Sequence, residues 1–247
     1  MRDAVEGTRG RVAVWWLAVE SVAESQWPAL AALLDEAERE RAARFHFERD
    51  RHSYIAAHAL GRRLLSSWAG GAPQDWRFSV GEHGKPEVVV AEGAPLLRLN
   101  LSHTRGLAAA ALTEGGDIGI DVEWLDRKAA SLDLAQRFFA PAECAQLARI
   151  APEQAGEAFL DFWTLKEAYV KAIGKGLAHA LDQFAFTLAP LAIHFEPTPG
   201  DDPADWLFRQ FRPTPRHVMA LALRPSGAGQ PEIEAVARTA ADLIGSG

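Results

Sequence analysis

Cysteine is almost missing from this chain. Cys144 is the only one in 247 residues, so no internal disulfide framework can form. That fits a reducing compartment. Long apolar runs are also missing. Val12–Val19 is too short to span a bilayer, and the polar stretch Met1–Gly10 holds no apolar signal core. These absences predict a cytoplasmic protein with no membrane segment. Positive charge is in deficit: 26 Lys and Arg against 33 Asp and Glu leave a formal net charge of -7. That argues against general nucleic-acid binding. An anionic ligand must then be met by a local basic cluster, not by the field of the whole protein. The chain also lacks a Gly-x-x-x-x-Gly-Lys-Ser/Thr loop and a Gly-x-Gly-x-x-Gly turn after a strand. This weakens the case for the common nucleotide-binding enzymes.

What is present is ordinary for a globular protein: 48% hydrophobic and 24% charged residues. The length suits one large domain or two small ones, with a sizeable core. Val and Trp make Arg11–Glu20 a strand. Leu30, Leu33, Leu34 and Ala37 recur at helical spacing and predict one helix from Pro28 to Phe45. A second helix runs from Arg49 to Trp68 and stops at Gly70-Gly71. Short strands follow at Trp76–Val80, Glu87–Val90, Arg98–Leu101 and Leu107–Thr113, then a Glu114–Asp117 turn and a strand over Ile118–Trp124. The second half predicts helices at Leu132–Phe139, Pro141–Ile150 and Glu157–Ile173. Strands are predicted at Phe184–Leu188, Leu191–Phe195, Trp206–Phe211 and His217–Leu223. Glu196–Asp205 reads as a loop, and the tail from Pro231 as a short strand or helix. The element mix predicts an α+β fold in two halves of similar order, 1–115 and 116–247.

Two segments carry the chemistry. Gly119-Ile120-Asp121-Val122-Glu123 sets two carboxylates on one face of a strand, opposite Ile118, Ile120, Val122 and Trp124. A solvated strand face would look the same. The second segment, Phe162–Gly176, adds weight. On a helix advancing about 100° per residue, Phe159, Phe162, Leu165, Tyr169, Val170 and Ile173 form the apolar face. Glu167 and Lys171 lie side by side at its edge, as a simple i,i+4 salt bridge would. Lys166 falls near the middle of the apolar face. It must snorkel or reach a place where an anion meets its charge. Three carboxylates with flanking lysines suit a divalent cation holding a phosphate-rich substrate.

Trp163-x-x-Lys166-Glu167-x-x-x-Lys171-x-x-Gly174-x-Gly176, with Gly119-Ile120-Asp121-x-Glu123 upstream, resembles the signature of the 4'-phosphopantetheinyl transferases. The length resembles the Sfp-type, pseudo-dimeric class. His83-Gly84-Lys85-Pro86 is similar to that family's Gly-Lys-Pro turn, and Asn100-Leu101-Ser102-His103-Thr104 to its Asn-x-Ser-His-Ser element. Arg44-Phe45 with Asp50 and His52, and Arg137-Phe138-Phe139 before Glu143, also match. The resemblance covers Arg41 to Phe186. Glu38 departs from it, standing where some members carry a phosphate-binding lysine; Arg41 or Arg39 would serve instead.

The resemblance implies two similar α+β halves about a pseudo-twofold axis, with the active site in the cleft between them. The implied reaction moves phosphopantetheine from coenzyme A to a serine of an apo acyl or peptidyl carrier protein and releases adenosine 3',5'-bisphosphate. Asp121, Glu123 and Glu167 would bind Mg2+, with Mn2+ as the alternative ion. Glu167 would also activate the serine hydroxyl. Lys171 would contact the pyrophosphate, and Lys166 would join it or orient the carboxylates. Ser102 and His103 would sit at the nucleotide end, with His103 on the 3'-phosphate. Lys85 would lie near the adenine, and Arg44 and Arg41 near the 3'-phosphate. Each has a plainer reading: a turn histidine, a hairpin-tip lysine, a solvated helix face. Glu143, in a helix's first turn, suits the helix dipole. Cys144 has nothing nearby to make a thiolate. The class suggests a monomer that binds neither nucleic acid nor membrane. Two other readings stay open: a non-catalytic coenzyme A or carrier-protein binding module, and a different Mg2+-dependent nucleotide enzyme. The carrier's pathway, whether fatty-acid, polyketide or non-ribosomal-peptide, is not encoded in any motif.

Overall fold

The structure, a computed structural model, describes residues 10–80, 86–126, 132–176, 180–198, 201–227 and 230–245. The chain forms two compact units, residues 1–116 with 226–247, and residues 117–225. Both are α+β.

The first unit opens with β1 (Arg11–Ala18), then α1 (Trp27–Ala31), α2 (Glu36–Ala43) and α3 (Glu48–Ala69). The hairpin β2 (Arg77–Val80) and β3 (Pro86–Val89) follows, then β4 (Leu97–Thr104) and β5 (Leu107–Glu114). One helix from Pro28 to Phe45 does not form. Leu34 turns into the core, and the Asp35 carboxylate accepts from the Glu38 amide while the Glu38 carboxylate returns to the Asp35 amide. This reciprocal cap starts a new helix at Glu36. The 22-residue α3 stops at Gly70, whose φ of 79° suits glycine alone. It lies on a sheet in which β5 pairs with both β1 and β4. Ala108–Ala111 of β5 are fully buried small residues under the helix.

The second unit begins with β6 (Asp117–Trp124), then α4 (Leu132–Phe138), α5 (Pro141–Leu147) and α6 (Pro152–Ile173). The hairpin β7 (Ala185–Leu188) and β8 (Leu191–His194) precedes β9 (Leu207–Thr214) and β10 (His217–Arg224). The helix α6 starts at Pro152, earlier than the periodicity alone indicates, because proline suits the first helical position. It ends at Gly174 in the left-handed conformation. It packs on the antiparallel sheet β6-β10-β9, whose central strand β10 is buried nearly end to end. No described helix is long and apolar enough to cross a membrane.

The tail then leaves the second unit. β11 (Glu232–Arg238) pairs in parallel with β1, Arg11 opposite Glu232, and α7 (Ala240–Ile244) buries Ala240 and Leu243 in the first unit's core. Pattern places a strand near the tail but names no partner, so residues 226–247 read as part of the second half, whereas they complete the first.

Candidate functional site

The strand with the acidic pair and the helix with the lysines touch through a missing side chain. A Cβ on Gly119 would lie 2.0 Å from the Ala168 carbonyl oxygen and 2.5 Å from the Ala172 nitrogen. Only glycine lets the α6 backbone come so close. This contact sets the turn of α6 carrying Glu167 and Lys171 against β6. Lys171 Nζ donates to Asp121 Oδ1 at 2.6 Å and to the Ile120 carbonyl at 3.2 Å. The two motifs thus meet at a strand carboxylate and a helix ammonium.

Asp121 does not sit on a solvated face. It is 6% exposed, opposite Ala220 on β10, because α6 closes over the strand. Glu123 and Glu167 are half-buried. The three carboxylates fit a hard cation in chemistry: all are oxygen donors, and Mg2+ takes few protein carboxylates beside waters and phosphates. Their oxygens are not gathered as bound ligands would be. Among the described residues, the three acidic or histidine side chains whose ligand atoms lie within 4.8 Å of one another are Glu24, Glu48 and His52, in the first unit.

Lys166 is not part of this constellation. Its side chain is fully buried on another face of α6, 2.7 Å from Glu143 Oε2. It also donates to the Leu181 and Phe184 carbonyls at 2.6 and 2.7 Å. Its position on the apolar face is resolved by an internal anion, so it neither snorkels nor reaches substrate. Burial pushes the Glu143 carboxyl above its usual range and the Lys166 ammonium below its own, and each group's charge is the main counterweight for the other. Burial also raises the neighbouring Cys144 thiol, which stays protonated.

In the first unit, His103 is exposed at the end of β4 and lines a pocket of about 900 Å3. Trp27, Phe45, Arg49, His52 and Arg105 are other walls. The His52 ring stacks on Trp27 at 3.9 Å, and burial lowers its pKa, which favours the neutral ring. Ser102 is buried, one residue short of the pocket wall. Arg41 lies over the Tyr54 ring at 5.7 Å, and Arg44, with its side chain 79% exposed, pairs with Glu40 at 3.8 Å. Neither lines the pocket; Arg49, the second residue of the next helix, does. Lys85 lies outside the described residues.

Comparison with known proteins places both units. Residues 117–222 match the model of the 4'-phosphopantetheinyl transferase superfamily, and residues 21–114 match that of the 4'-phosphopantetheinyl transferase N-terminal region. The 4'-phosphopantetheinyl transferase HetI of Nostoc sp. is 34% identical over 204 residues, covering 83% of this chain and 84% of that protein. The chain belongs to the 4'-phosphopantetheinyl transferase superfamily. Sfp of Bacillus subtilis is 33% identical over 150 residues, 61% of this chain and 64% of that protein. A second 4'-phosphopantetheinyl transferase of Bacillus subtilis is 32% identical over 159 residues, 64% and 68% of the two chains. The protein is therefore a transferase enzyme of the Sfp-type class, a class that uses coenzyme A and carrier proteins.

Two features of this phosphopantetheinyl transferase are not legible as motifs. Glu38 is a half-buried structural acid that bonds His58 Nδ1 and accepts from the fully buried Arg62. Arg62 also pairs with Asp35 and donates to the Pro73 and Trp76 carbonyls. Glu143 is the partner of Lys166. A signal for that pair existed: a lysine at the centre of an apolar helix face demands a buried anion, and Glu143 stands at the third position of a helix opened by Pro141.

Proposed function

We propose that this chain transfers 4'-phosphopantetheine from coenzyme A to a serine hydroxyl of an apo carrier protein, using a divalent cation held by Asp121, Glu123 and Glu167. The observation that carries this reading is the Gly119 contact, which sets Lys171 on Asp121 beside Glu167 in a chain of this superfamily. In the reaction, the serine oxygen forms a bond to the phosphorus nearer the pantetheine. The bond from that phosphorus to the bridging oxygen breaks, and adenosine 3',5'-bisphosphate leaves. Glu167 takes the serine proton, directly or through water. Lys171 offers its ammonium to the pyrophosphate oxygens, which carry the growing negative charge. A bound Mg2+ would supply charge neutralisation at those oxygens.

In the first unit, the pocket bounded by His103, Arg49 and Arg105 takes the nucleotide of coenzyme A. Its volume suits a nucleotide-sized ligand, its arginines suit phosphate, and Phe45 offers flat apolar surface to a base. Ser102 neighbours His103 on β4, and Lys85 is kept as a nucleotide ligand on the family resemblance alone. Arg41 and Arg44 add charge nearby and contribute less than Arg49. The enzyme works as a cytoplasmic monomer.

The test is intact mass spectrometry of an apo carrier domain incubated with the protein, coenzyme A and Mg2+, with and without EDTA. A gain of one phosphopantetheine that EDTA abolishes is the expected result. No gain across acyl and peptidyl carriers, with coenzyme A still bound, would reduce the protein to a binding module.

A further inference from the structure

Lys166 and Glu143 form a pair that stability alone does not explain. Both are fully buried. Two well-packed apolar residues are often at least as stable as such a pair, because each ion must leave water. What an apolar pair cannot do is bind polar backbone from several segments at once. An ammonium has three donors, and Lys166 directs them at Glu143 Oε2 and the carbonyls of Leu181 and Phe184. Glu143 accepts from the Ala140 amide at 3.0 Å and the Phe186 amide at 2.8 Å. The Lys166 ammonium also lies 4.2 Å from the centre of the Phe184 ring. One ion pair therefore ties α6 to the start of α5, to the turn over Leu181–Phe184 and to β7.

Lys166 is also the residue before Glu167. Gly119 fixes how near α6 comes to β6, but a small-residue contact resists sliding better than rolling. Lys166 meets that need from another side of the helix. A roll of about 10° moves an atom about 5 Å from the helix axis by about 1 Å. A misplacement of that size costs catalysis roughly 100-fold. We infer that Lys166 and Glu143 are a positioning pair for the transfer reaction: together they fix the roll of α6 that presents Glu167 and Lys171. This rests on the reading that Glu167 and Lys171 serve the reaction.

The test uses the full chain with coenzyme A, Mg2+ and an apo carrier. The variants are Lys166→Met, Glu143→Gln and the double variant, with Glu167→Gln as reference. Each is assayed below its own melting transition, with unfolding followed by circular dichroism. Lys166→Met is expected to lose about 100-fold in kcat, with KM for coenzyme A rising by much less, since the nucleotide end is held by residues of the first unit and only the Lys171 contact is displaced. The double variant no longer buries an uncompensated charge, so it should regain much of the melting temperature lost by Lys166→Met while kcat stays low. A merely structural pair would restore kcat along with stability, and that result overturns the inference. So does a folded Glu143→Gln protein with parental kcat. If Lys166→Met does not fold, Glu143→Gln and the double variant decide the matter. A parent that transfers while Glu167→Gln does so equally well overturns the site reading instead. A parent that modifies no carrier overturns the functional reading itself, and this inference with it.

Discussion

Single residues divide here into those that hold charge for chemistry and those that hold charge for the fold. Asp121, as a proposed ligand, falls with the first kind and yet is buried, so alanine is a poor probe: it would take the Asp121 contact from Lys171 as well as remove the proposed ligand. Asparagine keeps the shape. Asp121→Asn should fold with a melting temperature near the parent's and lose at least about 100-fold in turnover, roughly 2.7 kcal/mol of barrier. A folded Asp121→Asn protein with near-parental kcat would remove Asp121 from the metal site. Glu38 belongs to the second kind. Burial pushes its carboxyl up, but the hydrogen bonds from His58 and Arg62 outweigh that and hold it below its ordinary value of 4.5. A carboxyl with a depressed folded-state pKa adds stability that is fully present above its unfolded value. That stability disappears as pH falls through the folded value. The unfolding free energy of the parent should therefore exceed that of Glu38→Gln at neutral pH, and the gap should close below pH 4.5. A gap that stays constant into acid would mean that the Glu38 charge does not matter to the fold.

At the level of elements, the decisive contact is Gly119 against Ala168 and Ala172. A methyl group at Gly119 meets backbone atoms of a packed helix, which have no rotamer to change. Gly119→Ala should cost about 3 kcal/mol, the upper end for overpacking, read as a lower urea midpoint with an unchanged slope. It should also push α6 outward and pull Lys171 from Asp121. An unchanged midpoint would show that the helix yields freely there. The same scale explains what the sequence could and could not convey. The α6 periodicity, the β6 alternation and the glycine stops at Gly70 and Gly174 are local signals, and the structure carries them. The break between α1 and α2 was hidden because Leu30, Leu33 and Leu34 keep helical spacing across it; only the Asp35 and Glu38 cap reveals it. The burial of Asp121 was hidden because it depends on α6 lying over β6, a contact between residues far apart in the chain. Lys166 was legible as an oddity, but its partner Glu143 came from another helix. The neighbours that decide such roles are set by packing, which periodicity does not record.

For the whole molecule, the informative feature is that the chain returns to its first unit at the end. β1 lies between β5 and β11, and β11 forms an edge of the sheet. Removing residues 226–247 would take away that parallel partner along its whole register. It would also remove the Arg238 guanidinium from above the Trp15 ring, 4.0 Å from its centre. Leu243, fully buried, would leave the core as well. One buried leucine is worth roughly 2 kcal/mol, and a domain's net stability is about 5–15 kcal/mol, so the loss of α7 alone is serious. The loss of β11 adds a second kind of damage. A long apolar strand with unpaired backbone groups is a template for pairing with another chain, and Val12, Val14, Trp15 and Leu17 of β1 would then stand at the edge. A chain ending at Pro225 should therefore associate, seen as a rise in light scattering, and bind an apolar dye that the full chain does not bind. The second unit keeps all its strands in that truncation, so the secondary structure of residues 117–225 should persist in the associated material. A monodisperse truncated protein with the parental melting temperature would show instead that the first unit's sheet is complete without the returning strand.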